Sequence, residues 1–108
     1  MRYDIVTQEP RSPGSGDRAI LVGVQLKGKL SPWTLEDSLE ELRQLALTAG
    51  LEVTGFTSQK IAHPDPATWI GSGKAQELKE LLAAQNAAYA LFDDELSPVQ
   101  TRNLERIL

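Results

Sequence analysis

The fold of this chain is decided by the apolar run Ala19-Ile20-Leu21-Val22-Gly23-Val24. A continuous run of this kind is typical of a strand that is buried on both faces of a parallel sheet. The run Ala87-Ala88-Tyr89-Ala90-Leu91-Phe92 has the same character and predicts another buried strand. Between the two, residues 51–59 alternate apolar and polar side chains, which predicts a strand nearer the edge of the sheet.

A helical pattern follows each of these three strands. The first helix is expected to be capped by Ser31, to carry Pro32 in its first turn and to end at Gly50. The second is expected over residues 73–85. The third begins at Ser97-Pro98-Val99-Gln100, a capping box in which Ser and Gln side chains satisfy free amide groups. Its apolar residues are expected to face the core: Val99, Leu104, Ile107 and Leu108.

The alternation of strands and helices predicts an α/β fold. We expect a three-layer open parallel sheet of three or four strands, in the order second, first, third, with helices on both faces. Such a sheet continues with another strand, so the chain is expected to be a fragment of a longer protein. Residues 18–108 form the predicted domain, after a flexible arm over residues 1–17. Residues 3–6 of this arm, or a second copy in a homodimer, could cover the exposed edge of the third strand.

Composition limits the classes of function. The chain has 108 residues, which suits one domain, and no cysteine, which excludes disulfides and thiolate metal sites. Its net charge of -4 argues against binding nucleic acid through bulk positive charge, so any RNA contact must be local. The sequence has no signal-peptide or membrane-spanning run, which predicts a soluble, cytoplasmic protein with no membrane partner.

A glycine-containing loop, Asp65 to Lys74, precedes the second helix. It is similar to a phosphate-binding P-loop, but Thr68 replaces the first glycine and Ala75 replaces the magnesium-binding hydroxyl residue. Two interpretations remain. The loop could present backbone amides and Lys74 to an RNA phosphate, or it could be a tight connection in which Ser72 caps the helix. Trp69 could likewise stack on a base or fold onto the protein's own surface.

Acidic residues follow the third strand. Asp93 and Asp94 are weak candidates for a metal site at the carboxyl end of a buried strand, although carboxylates before a helix are favoured without any metal. The single histidine, His63, lies among prolines in a loop, and no nucleophile accompanies it. No catalytic residue is therefore predicted.

Four segments resemble the N-terminal domain of the bacterial HflX GTPases. They are Ala19 to Val24, Ser38 to Val53, Asp65 to Lys74 and Phe92 to Glu105, in the same order along the chain. The resemblance covers residues 18–108. Trp69 is a small departure, since Tyr or Phe is more usual at this position in the family, but it keeps a flat ring.

The resemblance implies a parent protein that is a ribosome-associated GTPase of the stress response. Such a protein binds the large ribosomal subunit, both RNA and protein, and splits or rescues stalled ribosomes. GTP and magnesium would bind to a separate GTPase domain that follows a helical hairpin, so this fragment would have no cofactor and no enzyme activity. The candidate RNA or ribosome contacts are Trp69, Gly71, Ser72, Gly73, Lys74 and Arg102. The alternative is a small doubly wound domain that binds a nucleotide or phosphate.

Overall fold

The computed structural model describes residues 3–7, 17–28 and 34–108 of the chain. Strands and helices alternate through most of this part, after a short additional strand at its start. In chain order the elements are β1 (Asp4–Thr7), β2 (Arg18–Leu26), α1 (Leu35–Thr48), β3 (Glu52–Ile61), α2 (Ser72–Ala84), β4 (Tyr89–Phe92) and α3 (Pro98–Ile107).

The four strands form one sheet in the order β1-β4-β2-β3. β2 is parallel to both β3 and β4, which confirms the predicted parallel core and its order. β1 runs antiparallel along the outer edge of β4, with Asp4 opposite Phe92. The prediction that the N-terminal segment covers this edge is therefore confirmed. Because β1 occupies the edge, a second copy cannot pair with β4 while β1 is in place.

Both faces of the sheet are covered, which gives three layers. Ile20 and Val22 of β2 pack into one core with α2 and α3, whereas Ala19 and Leu21 pack into another core with α1. All four residues of β4 are buried. Burial on both faces removes apolar surface from water on two sides of the sheet, which explains why these strands read as continuous apolar runs.

The first helix starts later than the sequence predicts. Thr34, not Ser31, caps α1: its Oγ1 accepts a hydrogen bond from the Asp37 amide (3.0 Å), and the Asp37 carboxylate accepts one from the Thr34 amide (3.2 Å). Asp37 completes this reciprocal capping box. The positions of Ser31 and Pro32 lie outside the described residues. Gly50, with φ of +81°, follows the end of the helix as predicted.

The other two helices match their predicted ranges closely, but two details differ. Ser72 does not cap α2; the N-cap is Gly71, and Ser72 is the first helical residue. Val99 does not face the core and is 58% exposed, because the buried side of α3 carries Gln100 and Leu104. The predicted capping box of α3 is confirmed, with hydrogen bonds of 2.8 and 3.1 Å between Ser97 and Gln100.

Candidate functional site

The loop between β3 and α2 is closed by its own backbone. Asp65 and Trp69 exchange two backbone hydrogen bonds, of 2.8 and 3.0 Å. The Asp65 carboxylate also accepts bonds from the amides of Ala67 (2.7 Å) and Thr68 (3.3 Å), which is the usual way in which Asp stabilises a tight turn. The turn therefore has a fixed shape of its own.

Three amide side chains hold this loop against the rest of the domain. Gln100 on α3 donates to the Asp65 carbonyl (2.8 Å), and Asn103 on α3 donates to the Ala67 carbonyl (2.9 Å). Gln59 on β3 accepts a bond from the Gly71 amide (3.0 Å). The loop is thus fixed both to β3 and to α3.

These anchors were not predicted as part of the site. Gln100 was recognised only as half of a capping box, and its second bond depends on how α3 packs. Gln59 lies outside the four segments that carry the family resemblance, and Asn103 lies inside one of them but was given no role of its own. Their partners are backbone atoms, so the sequence carries no complementary residue that could have indicated the contact.

Trp69 lies at the end of the closed turn in a left-handed conformation, with φ of 66°. This conformation is uncommon for a residue with a bulky side chain. The ring packs against the core formed with α2 and α3. Trp69 thus folds onto the protein itself. Its indole nitrogen Nε1 is buried and has no hydrogen-bond partner. A buried donor without a partner is a local cost to stability.

Lys74 is already paired within the domain. Its Nζ lies 2.6 Å from Glu77 Oε2 and 3.3 Å from Thr57 Oγ1, and its side chain is 18% exposed. Hydrogen bonds from Lys74 and from the Thr57 hydroxyl hold the pKa of Glu77 below its ordinary value. Any phosphate that binds Lys74 would have to compete with this carboxylate.

The start of α2 is open to solvent and has no cap from a side chain. Ser72 and Gly73 are exposed, and the first turn contains no acidic residue. Amides at a helix start carry partial positive charge and are suited to binding an anion. Arg102 is exposed on α3, next to the residue that anchors the loop. We call residues 66–73 together with Arg102 the loop surface.

Asp93 has a structural contact at the end of β4. Its amide donates to the Val22 carbonyl, and its Oδ1 accepts a bond from the Val24 amide, both at 3.1 Å. Burial raises the pKa of Asp93 to about 6. Among residues 3–7, 17–28 and 34–108, no group of three or more His, Cys, Asp or Glu side chains could hold a metal ion. Asp93 and Asp94 are therefore not part of a cluster of three or more such side chains in these ranges.

A cavity of about 290 Å³ lies at the other end of the sheet. It is formed by the amino end of β4, the last residues of β1 and the end of α2, far from the loop surface in the topology. The sequence did not predict it, because the residues come from separate elements. Its lining includes Val6, Lys79, Leu82, Asn86, Ala87 and Leu108.

No helix in the described ranges is both long and apolar enough to span a membrane. Residues 36–108 match the family model described as GTP-binding GTPase N-terminal, and the chain belongs to that family.

The relatives of the chain are proteins named GTPase HflX. The chain is 41% identical over 92 residues to the one from Caldanaerobacter subterraneus subsp. tengcongensis, and this match covers 85% of the chain and 20% of the relative. It is 36% identical over 92 residues to that of Flavobacterium psychrophilum, covering 85% of the chain and 22% of the relative. It is 37% identical over 93 residues to that of Escherichia coli, and this match covers 86% of the chain and 21% of the relative. The predicted resemblance to the HflX N-terminal domain is confirmed.

The chain spans about a fifth of the length of these relatives.

Proposed function

We propose that the chain is the ribosome-binding N-terminal domain of an HflX-like GTPase. The parent protein is a cytoplasmic stress-response GTPase that associates with the large ribosomal subunit and splits or rescues stalled ribosomes. GTP and magnesium bind to its own GTPase domain, which is also a partner of the present domain. The observation that carries this proposal is the family match over residues 36–108.

The loop surface is the part of the domain that contacts ribosomal RNA. The rigid geometry of the loop supports this assignment, because a pre-ordered loop loses little conformational entropy on binding. The uncapped start of α2 provides backbone amides at Ser72 and Gly73 for a phosphate group. Arg102 adds an exposed charged side chain on α3, one residue before Asn103, whose side chain bonds to the loop. This is a contact with few phosphates, as the net charge of -4 requires.

Arg102, which belongs to this surface, carries more of the binding than Lys74, which follows it in α2. The Lys74 ammonium already bonds to Glu77 and Thr57. A phosphate that binds Lys74 would replace the Glu77 carboxylate, and the exchange of one anion for another adds little binding energy. Lys74 therefore acts mainly by fixing the first turn of α2. Trp69 supports the loop from below through its packing on the core.

Cosedimentation with purified large ribosomal subunits over a salt series tests this function. Arg102→Ala should weaken binding and reduce the slope of log K against log salt by about one, because one phosphate contact is lost. Arg106→Ala is the matched control, since Arg106 is an exposed arginine in the last turn of the same helix. Its effect should be clearly smaller. Absence of cosedimentation at low salt would contradict the proposal, and equal losses from both variants would contradict the assignment of the surface.

The alternative of a nucleotide- or phosphate-binding domain has one favourable feature, the open start of α2. Against it, Thr68 and Ala75 replace the residues that a P-loop needs. The 290 Å³ cavity also lies at the amino ends of the parallel strands, whereas doubly wound folds bind ligands at the carboxyl ends. A thermal-shift titration with GTP, ATP and magnesium separates the two functions. Ribosome binding predicts no shift, and a nucleotide site predicts saturable stabilisation.

A further inference from the structure

The first turn of α2 departs from the charge pattern that stabilises a helix. The amino end of a helix carries partial positive charge, so acidic side chains stabilise the first turn and basic ones do not. α1 follows this pattern with Glu36 and Asp37. The first turn of α2 has no acidic residue, and Lys74 lies there, three residues after the N-cap Gly71. The stability of the helix therefore does not explain a lysine at this position.

The Glu77 carboxylate compensates for this lysine. Lys74 Nζ lies 2.6 Å from Glu77 Oε2, and the hydroxyl of the buried residue Thr57 on β3 donates to the same oxygen (2.8 Å). Nζ also donates to Thr57 Oγ1 (3.3 Å), so each of the three groups contacts the other two. Thr57 thus holds both the ammonium and the carboxylate against the sheet.

The order of the two charges along α2 is also the less favourable one. A helix is stabilised more when an acid precedes a base by about one turn than when the base comes first, and here Lys74 precedes Glu77. The helix start has no side-chain cap either. Local preferences are broken in this way mainly at functional sites, which favours a role for the pair in binding.

The two partners differ in their access to solvent. The side chain of Lys74 is 18% exposed, whereas that of Glu77 is 55% exposed. Hydrogen bonds from Lys74 and Thr57 lower the pKa of Glu77, so its carboxylate is ionised at neutral pH. An anion that approaches Lys74 from solvent therefore meets a more exposed negative charge beside the ammonium.

We propose that Glu77 sets the affinity of the loop surface for RNA phosphate by holding Lys74 in an ion pair. This inference rests on the proposed function, in which the amides of Ser72 and Gly73 bind a phosphate. Lys74 follows Gly73 in the same turn, and its flexible stem lets the ammonium turn to that phosphate once no carboxylate holds it. With Glu77 in place, this additional contact is suppressed.

The consequence of this pairing is selectivity. A carboxylate beside a phosphate site disfavours an anion that contacts Lys74 alone, because like charges repel. RNA that also contacts Arg102 and the open start of α2 binds through several groups at once, and it tolerates this repulsion. Glu77 therefore favours an RNA segment that engages the whole loop surface over an isolated phosphate.

Cosedimentation with purified large ribosomal subunits and titration of a short oligouridine RNA, both over a salt series, test the proposal. Glu77→Gln should tighten binding by about three- to tenfold and steepen the slope of log K against log salt by about one, because Lys74 becomes a further phosphate contact. Glu80→Gln is the matched control, since it removes the same charge from an exposed position about one turn later in α2. It reports the general effect of net charge, which should be clearly smaller.

A second pair of variants shows whether the gain depends on the freed ammonium. In a chain that carries Lys74→Ala, Glu77→Gln should tighten binding no more than Glu80→Gln does. The proposal is overturned if the gain persists without Lys74, if both glutamate variants tighten binding equally, or if Glu77→Gln tightens neither interaction. The proposed function fails separately, if the unchanged chain does not cosediment with the subunits at low salt, and the oligouridine titrations then decide this proposal. Circular dichroism spectra and melting temperatures confirm that every variant is folded.

Discussion

At the scale of single residues, Asp93 makes stability depend on pH. Burial raises its pKa from 3.8 to about 6, so the folded chain binds this proton more tightly than the unfolded chain does. Its contribution to stability therefore decreases as the pH rises from about 4 to about 6, and the full cost is present above that range. Asp93→Asn removes the charge and keeps an oxygen for the Val24 amide. We expect it to stabilise the domain at pH 7.5 by on the order of 1 kcal/mol, after allowance for partial exposure.

Urea unfolding of both proteins at pH 7.5 and at pH 4 checks this prediction. The stability difference between them should be clear at pH 7.5 and should shrink at pH 4, where Asp93 is protonated in the folded state. Destabilisation of Asp93→Asn at pH 7.5 would contradict it, because it would mean that the ionised carboxylate makes a favourable contact.

Trp69 combines a well-packed ring with a buried donor that has no partner. Trp69→Phe keeps an aromatic ring and removes the unpaired indole N–H, whose burial costs about 1–3 kcal/mol. We expect the melting temperature to stay the same or to rise, because this gain offsets the smaller ring. Trp69→Ala, the comparison variant, should lose about 2 kcal/mol or more through lost packing. If both variants lower the melting temperature equally, the indole N–H has a stabilising partner.

At the scale of elements, the contact between the loop and α3 fixes the loop without supporting the core. Asn103 is at the protein surface, and its side chain bonds to the Ala67 carbonyl. Asn103→Ala should change the free energy of unfolding by less than about 0.5 kcal/mol, because alanine favours the helix and partly offsets the lost bond. Amide exchange in the loop should become faster, as hydrogen-exchange mass spectrometry would report. Gln76→Ala, an exposed amide on α2, is the control and should leave the loop unchanged.

The ends of the elements show where sequence reasoning fails. Ser31 and Thr34 both precede the first helix and both can cap it. The structure uses Thr34, since only there does a carboxylate three residues later complete the capping box. The start of the third helix was predicted correctly because Ser97 and Gln100 make the same pattern unambiguous. The capping-box rule is reliable when both the N-cap residue and the residue three positions later are considered together.

The candidate site was less predictable than the fold. The sequence indicated the glycine loop, and the absence of a P-loop could be read directly from Thr68 and Ala75. It did not indicate that Lys74 is paired or that Gln100 and Asn103 hold the loop. The bonds of Gln100 and Asn103 join residues 35 and 36 positions apart in the chain and depend on the packing of α3, whereas the Lys74–Glu77 pair lies within one turn of α2.

At the scale of the whole molecule, β1 is a structural part of the domain. Val6 is 1% exposed and belongs to the core with α2 and α3, and Ile5 packs against the core with α1. Removal of residues 1–7 should lower the free energy of unfolding by several kcal/mol, since it removes buried apolar side chains and a strand pairing. The variant should also self-associate through the uncovered edge of β4. Urea unfolding and sedimentation velocity measure the two effects.

Val6→Ala is the control for the truncation. It should lower stability by about 2 kcal/mol without causing association, because β1 still covers β4. A truncated chain that stays monomeric and as stable as the full chain would show that β1 does not contribute.

The overall arrangement was predictable because continuous apolar runs and helical patterns extend over whole strands and helices. The parallel core of β2, β3 and β4 follows from their alternation with helices. The antiparallel pairing of β1 was harder to predict, since four residues with mixed character fit an arm as well as a strand. The position of β1 could be predicted only because the parallel core would otherwise leave the outer edge of β4 unpaired.

The pairing of β1 with β4 also sets the order of events during synthesis. Asp4 is translated well before its partner Phe92. At roughly 5–20 residues per second, translation reaches Phe92 several seconds after Asp4. Throughout this interval Ile5 and Val6 are without their native neighbours, and the long loop they must close makes a late step in folding slow. Of the four strands that the structure describes, β1 is therefore made first but cannot pair until β4, which is made last, has been added.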